Sequence, residues 1–122
     1  MSDWHTSTLT QLAAGLRARK FSSMELVRAC LARIDASQAA LNAFISVTRE
    51  QALSDAAAAD RALTAGSGGA LTGVPIAHKD IFCTQGVRTT CGSRMLDNFV
   101  SPYDATVVAK LKGAGEIGRA HV

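Results

Sequence analysis

The chain has 122 residues, of which 48% are hydrophobic and 19% charged, with a formal net charge of +3. Apolar content is too high and net charge too low for a disordered chain. No segment approaches the run of about 18 apolar residues that a membrane helix requires, and Met1 to Lys20 lacks the apolar core of a signal peptide.

These features lead us to expect a soluble, cytoplasmic globular chain, or a piece of one. Cys30, Cys83 and Cys91 fit neither a CxxC redox pair nor a paired-CxxC zinc site, and His78 near Cys83 adds no recognised metal spacing. Buried or merely available thiols in a reducing compartment are the expectation. Arg17, Arg19, Lys20, Arg28 and Arg33 form the densest basic group. A solvated helix face accounts for them at least as well as nucleic acid does, and the chain has little aromatic material for base stacking.

Leu9, Leu12 and Leu16 recur at helical spacing behind Thr8, a candidate cap. Ser22-Ser23-Met24-Glu25 is a capping box, with Phe21 and Leu26 placed for a hydrophobic staple. Leu26, Val27, Cys30, Leu31 and Ile34 follow as a buried stripe, with Arg28, Arg33 and Asp35 off it. Thr48-Arg49-Glu50-Gln51 reads as a further box, opening an alanine-rich helix to about Ala65 that Gly66 ends in a left-handed conformation. Such alanine content gives high helix propensity and allows close packing. Gly66 to Gly69 is a flexible connection, since no Lys-Ser/Thr follows to make a phosphate loop.

Val74-Pro75-Ile76-Ala77 reads as a strand, because Pro75 prohibits a helix through it. A loop rich in Gly, Thr and Cys follows from Cys83 to Ser93. Asp104 is a candidate cap for a last helix with Val107, Val108 and Leu111 on one stripe and Gly113 and Gly115 at its end. Helices, a strand and a helix open an α/β domain. A single strand leaves the apolar stripes without the sheet they should cover.

The strand delivers Lys79 to its C-terminal end, where α/β proteins place functional groups. A lysine against low-dielectric surroundings loses its proton more readily and serves as a general base; the alternative is the first solvated residue after a buried strand. Asp80 is placed to orient the loop by accepting backbone N–H bonds. Ser93 or Cys91 would be the nucleophile candidates, but no base pattern accompanies either, and turn chemistry explains both.

Gly73-Val74-Pro75-Ile76-Ala77-His78-Lys79-Asp80, with Cys83-Thr84, Gly86 and Thr89-Thr90-Cys91-Gly92-Ser93, resembles the opening block of the amidase signature family. Met95 to Val100, Pro102 to Val108 and Leu41-Asn42-Ala43-Phe44 narrow the resemblance. They point to the A subunits of bacterial glutamyl-tRNA(Gln)/aspartyl-tRNA(Asn) amidotransferases rather than to stand-alone amidases.

The resemblance implies a mixed sheet sandwiched by helices and a Ser–cis-Ser–Lys triad in which Lys79 is the lysine. It implies a glutaminase supplying ammonia to a B subunit, which activates tRNA-bound glutamate with ATP and Mg²⁺. The assembly would be a heterotrimer with B and C subunits, and this chain would itself use neither metal nor cofactor. No residue here matches the nucleophilic or bridging serine, so the chain alone is expected to be inactive. A non-catalytic helical interaction module is the alternative of another class.

Residues 1–115 are thus expected to be the N-terminal part of an amidase signature domain. After Gly115 the family would enter an apolar strand, but Glu116 to Val122 stand there instead. Ile-Gly-Arg-Ala-His-Val and a stop are what a common sequencing-library adapter encodes in one frame (ATC GGA AGA GCA CAC GTC TGA). Residues 116–122 are therefore expected to be non-native, and His121 to lie outside any site. Synonymous codons across Ile117 to Val122 in the coding DNA would overturn that expectation.

Overall fold

The computed structural model describes residues 3–122, apart from the side chain of Arg119. Its helices are α1 (Leu9–Arg17), α2 (Ser23–Leu41), α3 (Arg49–Thr64) and α4 (Thr106–Gly113), and its strands β1 (Ser46–Val47), β2 (Pro75–His78) and β3 (Ile117–His121). Short 3-10 turns lie at Trp4–Thr6 and Arg94–Leu96.

Two helix starts follow the sequence. At α1 the Gln11 amide donates to Thr8 Oγ1 at 3.2 Å and the Thr8 amide to Gln11 Oε1 at 2.8 Å, a full capping box. At α2 the Glu25 amide donates to Ser22 Oγ at 3.1 Å and the Ser22 amide to Glu25 Oε2 at 2.9 Å. Those bonds leave the amides of Ser23 and Met24 without acceptors within their own helix. Asp60, on α3, supplies both: the Ser23 amide donates to Oδ1 at 2.7 Å and the Met24 amide to Oδ2 at 3.1 Å. The carboxylate also sits where the partial positive charge of a helix N-terminus favours it.

Two other predicted caps are corrected. Thr48 stands at the N-cap of α3 but makes no capping bond. Its hydroxyl donates instead to the Gly118 carbonyl of β3 at 3.1 Å, a tertiary acceptor that wins over the local one. Asp104 does not cap α4, which starts at Thr106 behind Ala105. Its carboxylate accepts from the Gln85 amide at 2.7 Å and from Lys112 Nζ at 3.1 Å, tying loop to helix. Gly66 does take the left-handed conformation after α3, with φ of 73°.

The single predicted strand becomes one of three, in the order β1-β3-β2, with β1 antiparallel and β2 parallel to the central β3. Pairing runs from Pro75 with Ile117 to His78 with His121, with an irregularity between Ile76 and Ala77. The sheet therefore exists within these residues, and helices cover it. Val27, Leu31 and Ile34 of α2 meet Ala52, Ala56 and Ala59 of α3 over Ile117 and Ala120 of β3. The three alanines bring the α3 backbone close to its neighbours, as their small volume requires. Cys30, expected in the same stripe, is only half-buried.

A second cluster joins Ala13, Leu16, Leu26 and Val74, with Phe21 packed against it beside Leu26's helix start. Here Gly73 is obligatory: its φ is +86°, and a Cβ would lie 2.9 Å from Ser23 Cβ. Ser23 Oγ donates to the Gly73 carbonyl at 2.8 Å, so the start of α2 is fastened to the approach to β2. Arg28, Arg33 and Asp35 lie off the buried stripe, as expected. Arg17 and Arg19 donate to the Ala70 carbonyl and to Thr64 Oγ1, so part of the basic group serves the fold. Among the described residues no helix is long and apolar enough to cross a membrane.

Asp60→Ala should destabilise the protein by about 1–3 kcal/mol, because it leaves two helix-end amides without acceptors. Urea unfolding followed by circular dichroism checks this; an unchanged midpoint would show that water replaces the carboxylate at no cost.

Candidate functional site

Lys79 marks the place where the chain leaves the sheet. The β2–β3 ladder closes through the Val122 amide donating to the His78 carbonyl at 2.9 Å and the Asp80 amide donating to the Val122 carbonyl at 2.8 Å. The Phe82 amide then donates to the Lys79 carbonyl at 3.0 Å, closing a turn. Lys79 is exposed, whereas its neighbours His78 and Asp80 are 5% and 3% exposed. The lysine is thus held by a backbone bonded on both sides, and among the described residues its ammonium forms no ion pair.

Asp80 organises the loop that follows. Its Oδ2 accepts from the Thr90 amide at 3.0 Å and from the Thr90 hydroxyl, and its carbonyl accepts from the Cys91 amide at 2.9 Å. Thr90 Oγ1 in turn accepts from the Gly92 amide at 3.1 Å, and the Thr90 carbonyl from the Ser93 amide at 2.8 Å. Asp80 Oδ1 lies 2.9 Å from His121 Nδ1, and His121 Nε2 lies 3.0 Å from Thr84 Oγ1. Burial alone would raise the pKa of Asp80, but the bonds from Thr90 and His121 outweigh it and hold the pKa below its ordinary value. Asp80 therefore orients the loop as the sequence suggests, though through side chain and backbone together. His121, expected outside any site, is buried in this cluster.

The nucleophile candidates are not brought to a base. Ser93 Oγ accepts from the Met95 amide at 3.2 Å, capping the 3-10 turn. Cys91 is exposed, with φ of 52°, and Gly92 follows at 68°. Two successive left-handed residues make this turn tight, and its amides bond within the loop and to Asp80. Turn chemistry is what both residues serve here. The Cys83 thiol instead meets Tyr103, whose hydroxyl it holds above its ordinary pKa through a hydrogen bond.

A second polar group lies beside the first, with the rings of His78 and His121 in edge contact at 6.1 Å between centroids. His78 Nε2 and Glu116 Oε1 are 3.5 Å apart, with side chains 4% and 0% exposed. That separation is too long for a good hydrogen bond, and among the described residues His78 Nε2 and both Glu116 oxygens have no hydrogen-bond partner. They border a cavity of about 710 Å³ that Gln51 and Asp55 of α3 also line and Lys79 does not. Among the described residues no group of three or more His, Cys, Asp or Glu side chains could hold a metal ion.

Residues 25–121 match the Amidase family, and the chain belongs to it. It is 63% identical over 113 residues to a protein of Chromohalobacter salexigens named as the A subunit of a glutamyl-tRNA(Gln) amidotransferase, covering 93% of this chain. The protein of that name from Alkalilimnicola ehrlichii is 62% identical over the same length. The chain spans 23% of the length of either relative. The native peptide amidase of Stenotrophomonas maltophilia superposes with a TM-score of 0.88 at 31% identity, covering 97% of this chain and 25% of that one. The α/β fold expected from the sequence is therefore the amidase signature fold.

The Asp80 carboxylate carries a pH signature. Its folded pKa lies below the ordinary value of 3.8, so the unfolded chain takes up the proton first as pH falls. Its contribution to stability is complete above that value and is lost as pH drops through the folded one. Asp80→Asn should be less stable at pH 7 and show a shallower loss of stability in acid than the parent. Equal acid slopes in urea unfolding would contradict the assignment.

Proposed function

We propose that this chain is part of the glutaminase component, the A subunit, of a bacterial tRNA-dependent amidotransferase. The observation that carries the reading is the 63% identity to a protein so named, well above the 31% to a peptide amidase. That contrast disfavours the alternative of a stand-alone amidase acting on small amides.

In this reading Lys79 is the base of a Ser–cis-Ser–Lys triad whose two serines lie in sequence not present here. Lys79 takes the proton of the bridging serine, which takes that of the nucleophilic serine as it attacks the glutamine side-chain amide. Backbone N–H groups stabilise the oxyanion, ammonia leaves, and water hydrolyses the acyl-enzyme. In this role the lysine amine accepts the relayed proton and returns it to the leaving ammonia. The ammonia passes to a B subunit that activates Glu-tRNA(Gln) with ATP and Mg²⁺, in a cytoplasmic heterotrimer with a C subunit. The chain without its serines is inactive.

Residues 116–122 are, in the same proposal, translated adapter rather than native strand. The feature in its favour is the buried Glu116, whose carboxylate, among the described residues, makes no hydrogen bond and has only His78 Nε2 beside it at 3.5 Å. The features against it are the family match, which extends to residue 121, and the burial of Ile117 and Ala120 in the core.

In the full-length form, Lys79→Ala should lower glutaminase activity by at least about 10²–10⁴-fold, the usual contribution of a general base. Retained activity with normal folding would favour a helical interaction module and sink the enzyme reading.

A further inference from the structure

We propose that Asp80 is a positioning residue for Lys79, acting through a hydrogen-bond relay from Asp80 to Thr90 to the Gly92 amide. The proposal rests on the reading of Lys79 as the triad base, and deepens it by naming what holds that base in place.

The geometry has three parts. Among the described residues Lys79 forms no ion pair, and what holds its place is its backbone, whose carbonyl accepts from Phe82 and whose next residue is anchored. Asp80 is 3% exposed and gives one oxygen to Thr90, through both amide and hydroxyl. Its main-chain carbonyl holds Cys91 at 2.9 Å, so two adjacent loop residues are bound by one. Thr90 passes the constraint on: its hydroxyl, having donated to Asp80, is oriented to accept from the Gly92 amide at 3.1 Å. A hydroxyl used as donor and acceptor at once has no rotational freedom left, which makes the relay stiff.

The loop cannot hold this shape by local preference. Cys91 at φ 52° occupies the left-handed region that a non-glycine residue avoids, and Gly92 continues it. Released from Asp80, the segment would relax towards ordinary turn geometry, and the Cys91 bond that anchors the residue after Lys79 would be lost. Thr90 is 4% exposed, so water does not easily replace its partner. The relay lies within residues 80–92 and needs neither His121 nor Glu116. Lys79 would then keep its chemistry and lose its aim, and a displacement of about 1 Å can cost about 10²-fold in rate.

The test uses the full-length protein in its amidotransferase complex, with glutamine hydrolysis as the assay. Asp80→Asn keeps volume but returns a weaker, neutral acceptor; Thr90→Val removes the hydroxyl at constant shape; Thr90→Ser restores it. We expect Asp80→Asn and Thr90→Val to lower kcat by about 10- to 100-fold with KM for glutamine within about 2-fold, and Thr90→Ser to recover most of the rate. A Thr90→Val enzyme that folds with parental kcat overturns the proposal, as does a loss confined to KM. Should Asp80→Asn not fold, the Thr90 pair decides alone. Lys79→Ala is run beside them: full activity there rejects the triad reading itself, whereas an inactive Lys79→Ala with unaffected Thr90→Val rejects only the relay.

Discussion

A carboxylate buried at the end of a strand has to be surrounded by donors, and the conformation around Lys79 follows from how Asp80 meets that demand. Desolvation would neutralise it; the hydrogen bonds keep it charged, as its lowered pKa reflects. Its donors come from Thr90, 10 positions further along the same loop, and from His121, 41 positions on, so solvation of one group fixes the loop after β2. The strained turn at Cys91 and Gly92 is stable because it serves that carboxylate.

The other end of β2 is held by a different carboxylate. Asp60 closes the open amides of α2, and Ser23, the first residue so bound, donates its hydroxyl to the Gly73 carbonyl. The helical layer is thereby fastened to the turn that feeds the strand. The alanine face of α3 lets it lie close enough for Asp60 to reach. Strand entry and strand exit are both set by a carboxylate accepting paired hydrogen bonds. Between them lie only four strand residues, so Lys79 stands on a short and doubly tethered support.

The parts legible in the sequence are those governed by near neighbours. Ser22 with Glu25, Gly66 after the alanine helix, and the Pro75-bearing strand with Lys79 after it all express local chemistry, and Asp80 is readable as an orienting acceptor. Thr48 and Asp104 satisfy local capping patterns but are drawn to distant partners, Gly118 and the Gln85–Lys112 pair, which no local pattern reveals. Asp60 gives no signal, since the amides it serves lie 37 and 36 positions away. β1 is too short and β3 too irregular, with Gly118, Arg119 and His121 breaking its apolar run, for either to be read as a strand. The family resemblance rests on the Lys-Asp block and the Thr-Thr-Cys-Gly-Ser loop, the two segments that the structure joins through Asp80.

Lys79 thus stands on a support whose rigidity comes from hydrogen bonding to its neighbour in sequence. The most direct measurement is amide hydrogen exchange at Thr90, Cys91 and Gly92, compared between the parent protein and Asp80→Asn. The account predicts slow exchange at all three in the parent and a joint loss of protection in the variant, with the amides of α2 unchanged. Protection that persists at Thr90 and Cys91 without the carboxylate would contradict it.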